Sequence, residues 1–219
     1  MVGSPQLDRV INLEAYLWAT PNSRRISILF EELGFDYKVH PINIRAKEQF
    51  QPHVLRLNPY GKLPIVTWQQ GGDERVMSES GAILLHFGAL SLELLPQGGH
   101  ARDDVMTWLM FALTSLGPMT GNAHHWTELA PVKPQVAIDH HVGLVTRAYR
   151  FLEDRLANND YLAGTFSLAD IAAFPWVQVH DWANIDMNYF PAIGEWLARV
   201  GNRPSVARGM AMPQNVVLA

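Results

Sequence analysis

Three short segments of the 219-residue chain hold side chains whose types and spacing could do chemistry. Thr20-Pro21-Asn22-Ser23 lies between an apolar strand-like run and a helical pattern. A strand-to-helix junction sets hydroxyl and amide side chains beside free helix N–H groups, a combination that can hold an anion or a thiolate. Asn22 or Ser23 could equally cap the helix. Gly61-Lys62-Leu63-Pro64 forms a second junction, where Leu63 keeps its backbone groups available and Pro64 removes a donor; a cis bond before Pro64 does not follow from proline alone. Ser78-Glu79-Ser80-Gly81 opens another helix. Its hydroxyls and N–H groups could bind a carboxylate and Glu79 an ammonium group, or the segment could be a cap with a solvated acid.

The chain has no cysteine, which excludes disulfides, thiolate metal sites and a protein thiol nucleophile, so any sulfur chemistry must use a bound thiol. The doublets His124-His125 and His140-His141 invite a metal reading, but adjacent helical residues do not share a face and no His-Glu-x-x-His pattern is present. No bound metal is expected. Trp108, Trp126, Trp176, Trp182 and Trp196 sit in or near helical patterns and read as core or interface packing.

These segments need a scaffold to bring them together. Val10 to Leu17 reads as a strand, and Ile26, Leu29, Phe30 and Leu33 mark one face of a helix that Gly34 can stop. Further strands are expected over Asp36 to Ile44, Leu63 to Trp68 and Glu74 to Met77, with helices over Ala46 to Leu57 and Ser80 to Ala89. That order suits a small α/β sheet with helices on its faces.

Beyond Leu94-Leu95-Pro96-Gln97-Gly98-Gly99 strand signals nearly vanish, and the spacing predicts helices over Asp103 to Leu116, Pro134 to Leu156, Leu168 to Val179 and Pro191 to Val200. Ser167 and Asp170 fit a reciprocal cap. Pro204 is expected to close the last helix, with the tail from Gly209 covering the surface. The domains therefore read as residues 1–92, α/β, and 100–219, all-α, joined by a linker at 93–99.

Composition narrows the function. Apolar types at 48% and charged types at 17% suit a sizeable core, and a formal charge of −4 offers no general attraction for nucleic acid or anionic lipid. Arg24-Arg25 and Arg45 with Lys47 are short clusters rather than a basic stripe. Charge, His, Pro or Gly breaks the apolar runs before a membrane span is reached, and the start lacks a secretory pattern, so no membrane partner and a cytoplasmic location are expected.

With these motifs in order, the chain resembles the glutathione transferase superfamily, most closely its nu class and related fungal transferases. Thr20 to Arg25 resembles the first active loop; Asn58-Pro59-Tyr60-Gly61-Lys62-Leu63-Pro64 resembles the segment that reaches the family's cis proline; Glu79 to Leu84 resembles the γ-glutamyl site. In the second half, Leu116 to Met119 and Asn122 to Trp126 look like the nu-class helix and following loop, and Ser167 to Ala172 like the family's structural cap.

The resemblance implies a thioredoxin-like domain followed by a helical bundle of glutathione transferase type, a homodimer, and glutathione, reduced or as its disulfide, as cosubstrate. Thr20 and Asn22 would stand near the glutathione sulfur, Leu63 and Pro64 at its cysteinyl backbone, Glu79 and Ser80 at its γ-glutamyl end, and Lys62 at its glycyl carboxylate. His124, His125, Trp126 and His140 would line the substrate pocket. His140 falls where relatives carry an arginine, whose fork an imidazole cannot reproduce. The implied activity is a transferase or disulfide-bond oxidoreductase in which bound thiolate attacks a disulfide or a small electrophile. A specialised lyase or isomerase, and a nonenzymatic ligand-binding regulator, are the alternatives on the same fold.

Overall fold

The structure, a computed structural model, describes residues 10–214; the outer ends of the two expected domains, 1–9 and 215–219, lie outside the described residues. The described residues divide into two compact units, one of 10–95 with 204–214 and one of 96–203.

In the first unit β1 (Ile11–Leu17) alternates Leu13, Ala15 and Leu17 into the core, and it leads into α1 (Pro21–Leu33). Helix α1 begins with proline in its first turn and ends at Gly34, which adopts φ +70° without the penalty a Cβ would bring. Strand β2 (Lys38–Pro41) is shorter than the run from Asp36 to Ile44 suggests. Strands β3 (Ile65–Gln70) and β4 (Asp73–Ser78) form a hairpin around Gly71 and Gly72, and α3 (Ser80–Gly88) follows. The sheet order is β2-β1-β3-β4, with β1 and β2 parallel and the other pairs antiparallel.

The helix expected over Ala46 to Leu57 is split. A 3-10 turn covers Glu48–Phe50, Gln51 is extended at ψ 146°, and α2 is only Pro52–Leu57. The cause is Pro52, whose ring drives the preceding residue out of the helical region. Phe30, Phe35, Trp68 and Phe87 meet edge to face at centroid distances of 5.0 to 5.8 Å and hold α1, β3 and α3 together. A smaller cluster of Ile42, Val54 and Ile65 receives Tyr16, Leu57 and Leu63.

The helix expected to close at Pro204 does end before it, but Pro204 also opens a further helix where a surface tail was expected. Helix α8 (Pro191–Gly201) ends before Pro204, and α9 (Pro204–Met210) starts with proline at a position whose N–H would have no partner. Helix α9 packs on α1 within the first unit, so the domain boundary at 100–219 is corrected at its end. Gly209, expected in a surface tail, is buried in this helix; its carbonyl accepts from Ser27 Oγ at 2.7 Å. Arg208 Nε donates to Glu31 Oε2 at 2.6 Å, and Ser205 bonds Glu32.

The second unit is helical: α4 (Gly99–Phe111), α5 (Gly117–His124), α6 (Gln135–Leu156), α7 (Leu168–Val177) and α8. Helix α4 starts inside the expected linker and reaches α5 through a π-helical turn, Ala112–Leu116, where the Gly117 N–H bonds the Ala112 carbonyl. The wider turn adjoins Pro118, which has no N–H to give. Every residue of α7 is buried. Its capping box is complete, with Ala169 N–H on Ser167 Oγ at 3.3 Å and Ser167 N–H on Asp170 Oδ2 at 3.0 Å. Trp196 is fully buried, and Trp108 and Trp176 nearly so, which fits a packing role.

Candidate functional site

Asn22, Asn58, Tyr60, Lys62, Leu63, Pro64, Glu79 and Ser80 line one cleft of about 240 Å³ in the first unit. Six of the seven residues singled out from sequence in this unit therefore meet there, from three segments far apart in the chain. Thr20 is the exception. Its Oγ1 accepts from the Ser23 N–H at 3.4 Å and donates to Ser23 Oγ at 3.3 Å, so Thr20, rather than Asn22 or Ser23, is the N-cap of α1. Ser23 Oγ accepts from the Trp18 N–H at 3.3 Å, fixing the turn from β1 into α1.

Asn22 is half-buried in the first turn of α1, and its Oδ1 accepts from Arg25 Nη1 at 2.8 Å. Arg25 also donates to Ser80 Oγ at 3.3 Å. Burial pulls the Arg25 guanidinium down to about 9. Sequence reading missed this residue, although its place three after Asn22 on one helix is the signal that the two side chains are neighbours.

The second wall is built around Asn58, which is 6% exposed. Its Nδ2 donates to the Lys62 carbonyl at 2.8 Å and its Oδ1 accepts from the Tyr60 N–H at 3.1 Å, tying the loop into one shape. Gly61 takes φ +66° in that loop, and a Cβ there would come within 2.6 Å of the Phe50 ring. Leu63 is half-buried against the Ile42 cluster, and its bond to Pro64 is cis. Lys62 is exposed, with Nζ 5.9 Å from the centre of the Tyr60 ring.

Glu79 joins β4 to α3, and Ser80 starts α3. Glu79 is exposed and holds φ +70°, ψ 111°, an unfavourable conformation for a residue with a Cβ. Ser80 is buried at the first position of the helix, where N–H groups have no intrahelical acceptor. The cleft thus carries amide, hydroxyl and N–H donors with a buried cation behind them, and a carboxylate at its rim. Chemically it can take a molecule with an anionic group and an ammonium group.

The other four residues belong to the helical unit. His124 is half-buried and stacks on Trp182 at 4.0 Å; burial lowers its pKa, so it is neutral near pH 7. His125 is exposed beside Trp126, whose ring lies 6.3 Å from His141. His140 is exposed on α6 with its ring 5.1 Å from that of His141. His124 thus packs on Trp182, while the rings of His125, Trp126, His141 and His140 run in series. Larger hollows of about 510 Å³ exist in each unit, and neither is lined by any residue singled out from sequence.

Residues 19–90 match the family model "Glutathione S-transferase, N-terminal domain" and residues 106–204 the model "Glutathione S-transferase, C-terminal domain". Disulfide-bond oxidoreductase YfcG of Escherichia coli strain K12 is 32% identical over 206 residues, covering 92% of this chain and 96% of YfcG. A glutathione transferase from Burkholderia graminis, solved with two glutathione molecules bound per subunit, aligns at a TM-score of 0.85 and 30% identity over 93% of this chain and 89% of that one. One from Pseudomonas putida, with one glutathione disulfide bound per subunit, aligns at 0.84 and 29% identity over 92% of each chain.

Proposed function

The chain belongs to the glutathione S-transferase family, and from that premise we propose that it is a glutathione-dependent disulfide-bond oxidoreductase or transferase. The observation that carries the reading is the joint lining of one cleft by Asn22, Leu63, Glu79 and Ser80 in a chain without cysteine. Glutathione is the cosubstrate and supplies the sulfur. Glu79 takes its ammonium group, Ser80 and the α3 N–H groups take its γ-glutamyl carboxylate, the Leu63 backbone takes its cysteinyl backbone, and Lys62 takes its glycyl carboxylate. Pro64 shapes the approach to that backbone. Asn22 donates to the thiolate, and Thr20 supports it by holding the first turn of α1.

In disulfide reduction the bound thiolate attacks one sulfur of the substrate. A mixed disulfide forms, and the other sulfur leaves as a thiolate that takes a proton from water. A second glutathione thiolate attacks the glutathione sulfur of that mixed disulfide, releasing the reduced substrate and glutathione disulfide. Two electrons pass from two glutathiones, and no protein sulfur is needed. With a small electrophile the same thiolate forms a thioether in one displacement. His124, His125, Trp126 and His140 are the residues of the helical unit assigned to the substrate, and YfcG, named for disulfide-bond oxidoreduction, favours the first reaction.

Turnover of a model disulfide with glutathione, product-resolved by mass spectrometry, tests this. Glutathione disulfide formed in step with disulfide reduced is the expected result. Product formed without glutathione consumption would move the protein to the lyase or isomerase reading, and binding without turnover to a ligand-binding regulator. The working form is a homodimer in the cytoplasm; light scattering on a sizing column should give twice the monomer mass.

A further inference from the structure

Asn22 and Arg25 are three residues apart on α1 and share one face of it. One terminal nitrogen of Arg25, Nη1, lies 2.8 Å from Asn22 Oδ1 and 3.3 Å from Ser80 Oγ. It carries two protons, enough for both partners. Arg25 is only 2% exposed, so these contacts replace water around a charge.

The polarity of the contacts matters more than their number. An asparagine amide presents an oxygen or an NH₂ group depending on a half-turn of its last torsion, and a serine hydroxyl can give or accept. A guanidinium has donors and no acceptor. Facing Arg25, the Asn22 amide must turn its oxygen inward, which leaves Nδ2 directed away from the guanidinium. Ser80 must offer Arg25 its lone pair, which leaves its O–H proton for another acceptor. One buried donor-only group thereby commits two ambivalent side chains of the cleft to act as donors.

We propose that Arg25 is a positioning residue that sets the donor polarity of this cleft, turning the Asn22 amide and the Ser80 hydroxyl toward the anionic groups of glutathione. The inference rests on the cleft being the glutathione site, and it adds the reason why two groups that could repel a thiolate or a carboxylate do not. It also couples the two ends of the bound tripeptide, because loss of the guanidinium frees both side chains at once. Arg25 touches no reacting atom and acts through Asn22 and Ser80.

The test joins a spectroscopic signature with a kinetic cycle. In the ligand-free protein the side-chain amide of Asn22, assigned by ¹⁵N NMR through its loss in Asn22→Ala, should give one resolved pair of proton signals. In Arg25→Met both signals should shift and broaden as the amide turns about its last torsion, and kcat/KM for glutathione should fall about tenfold, less than the loss from deleting an oriented donor outright. Arg25→Lys, also donor-only, should recover most of that loss. The double variant Asn22→Ala/Arg25→Met should lose little more than the worse single variant, since Arg25 acts partly through Asn22.

Fully additive losses, an unchanged amide signal in Arg25→Met, or Arg25→Lys as poor as Arg25→Met would each overturn the proposal. If Arg25→Met does not fold, the same cycle run with Arg25→Gln, whose amide is not committed to donating, decides by the same additivity criterion. Failure of the wild-type protein to bind glutathione in calorimetry would instead overturn the site assignment on which it rests, a result distinct from lost coupling in a protein that binds.

Discussion

The indole N–H of Trp196 donates to Asp170 Oδ1 at 2.9 Å, and neither residue has any exposed surface. The same carboxylate accepts from the Leu162 and Ser167 N–H groups at 3.0 Å each, so three segments of the helical unit converge on it. Burial outweighs these donors and pushes its pKa up to about 6 from an ordinary 3.8.

The folded state therefore holds its proton more tightly than the unfolded chain does. The contribution of Asp170 to stability is full below about pH 4 and is lost as pH rises through about 6. Urea titrations from pH 4 to pH 7 should show this slope, and Asp170→Ala should flatten it. That variant strands several donors and should lower stability at every pH, by about 2–3 kcal/mol.

Gly209 lies so close to α1 that a Cβ would stand 2.5 Å from both the backbone nitrogen and the Cα of Ile28. Backbone cannot swing aside as a side-chain end can. Gly209→Ala should cost about 1–3 kcal/mol, read as a fall in the urea midpoint. Gly143→Ala, with nothing within 4 Å of its added methyl, is the control and should not destabilise.

Thr20 and Asn22 should separate by readout. Thr20→Ala removes the α1 cap and should cost about 1 kcal/mol of stability. Asn22→Ala caps nothing but takes an acceptor from the buried Arg25, so it should cost about 1–2 kcal/mol while glutathione-dependent turnover falls about a hundredfold, a loss of activity Thr20→Ala should not match. Matched losses of activity and stability in both variants would contradict that division of labour.

Glu79 holds a backbone angle suited to glycine. Glu79→Gly should stabilise the protein by about 1 kcal/mol while raising KM for glutathione, because strain and carboxylate leave together. Glu79→Ala should raise KM equally without the gain. The pair distinguishes conformation from charge.

His140→Arg installs the arginine that the resemblance to nu-class transferases implies at this position. Calorimetry should then show tighter binding of glutathione disulfide, since a fork of fixed charge replaces an imidazole. Unchanged affinity would remove His140 from the binding surface.

The parts legible in the sequence were those written in local chemistry. The alternation in β1, the apolar face of α1, the stop at Gly34 and the pairing of Ser167 with Asp170 each depend on a few neighbouring residues. So does the convergence on the cleft, which follows once the motifs are recognised in order. Helix α9 was hidden because a proline ends one pattern and begins another with equal ease, and only the packing of Gly209 on Ile28 decides which. The break at Pro52 was a local signal passed over. Arg25 stood in the sequence only as half of a short basic cluster and the end of a loop motif, because its contact with Ser80 at the start of α3 spans 55 residues of chain.

The return of α9 to α1 bears on the order of biosynthesis. The first ninety-odd residues leave the ribosome long before the segment that shields Ile28, so the amino-terminal unit must wait for the whole helical unit to be translated before it can close. A nascent chain halted at the linker would display a bare strip of α1 and be a ready client for chaperones.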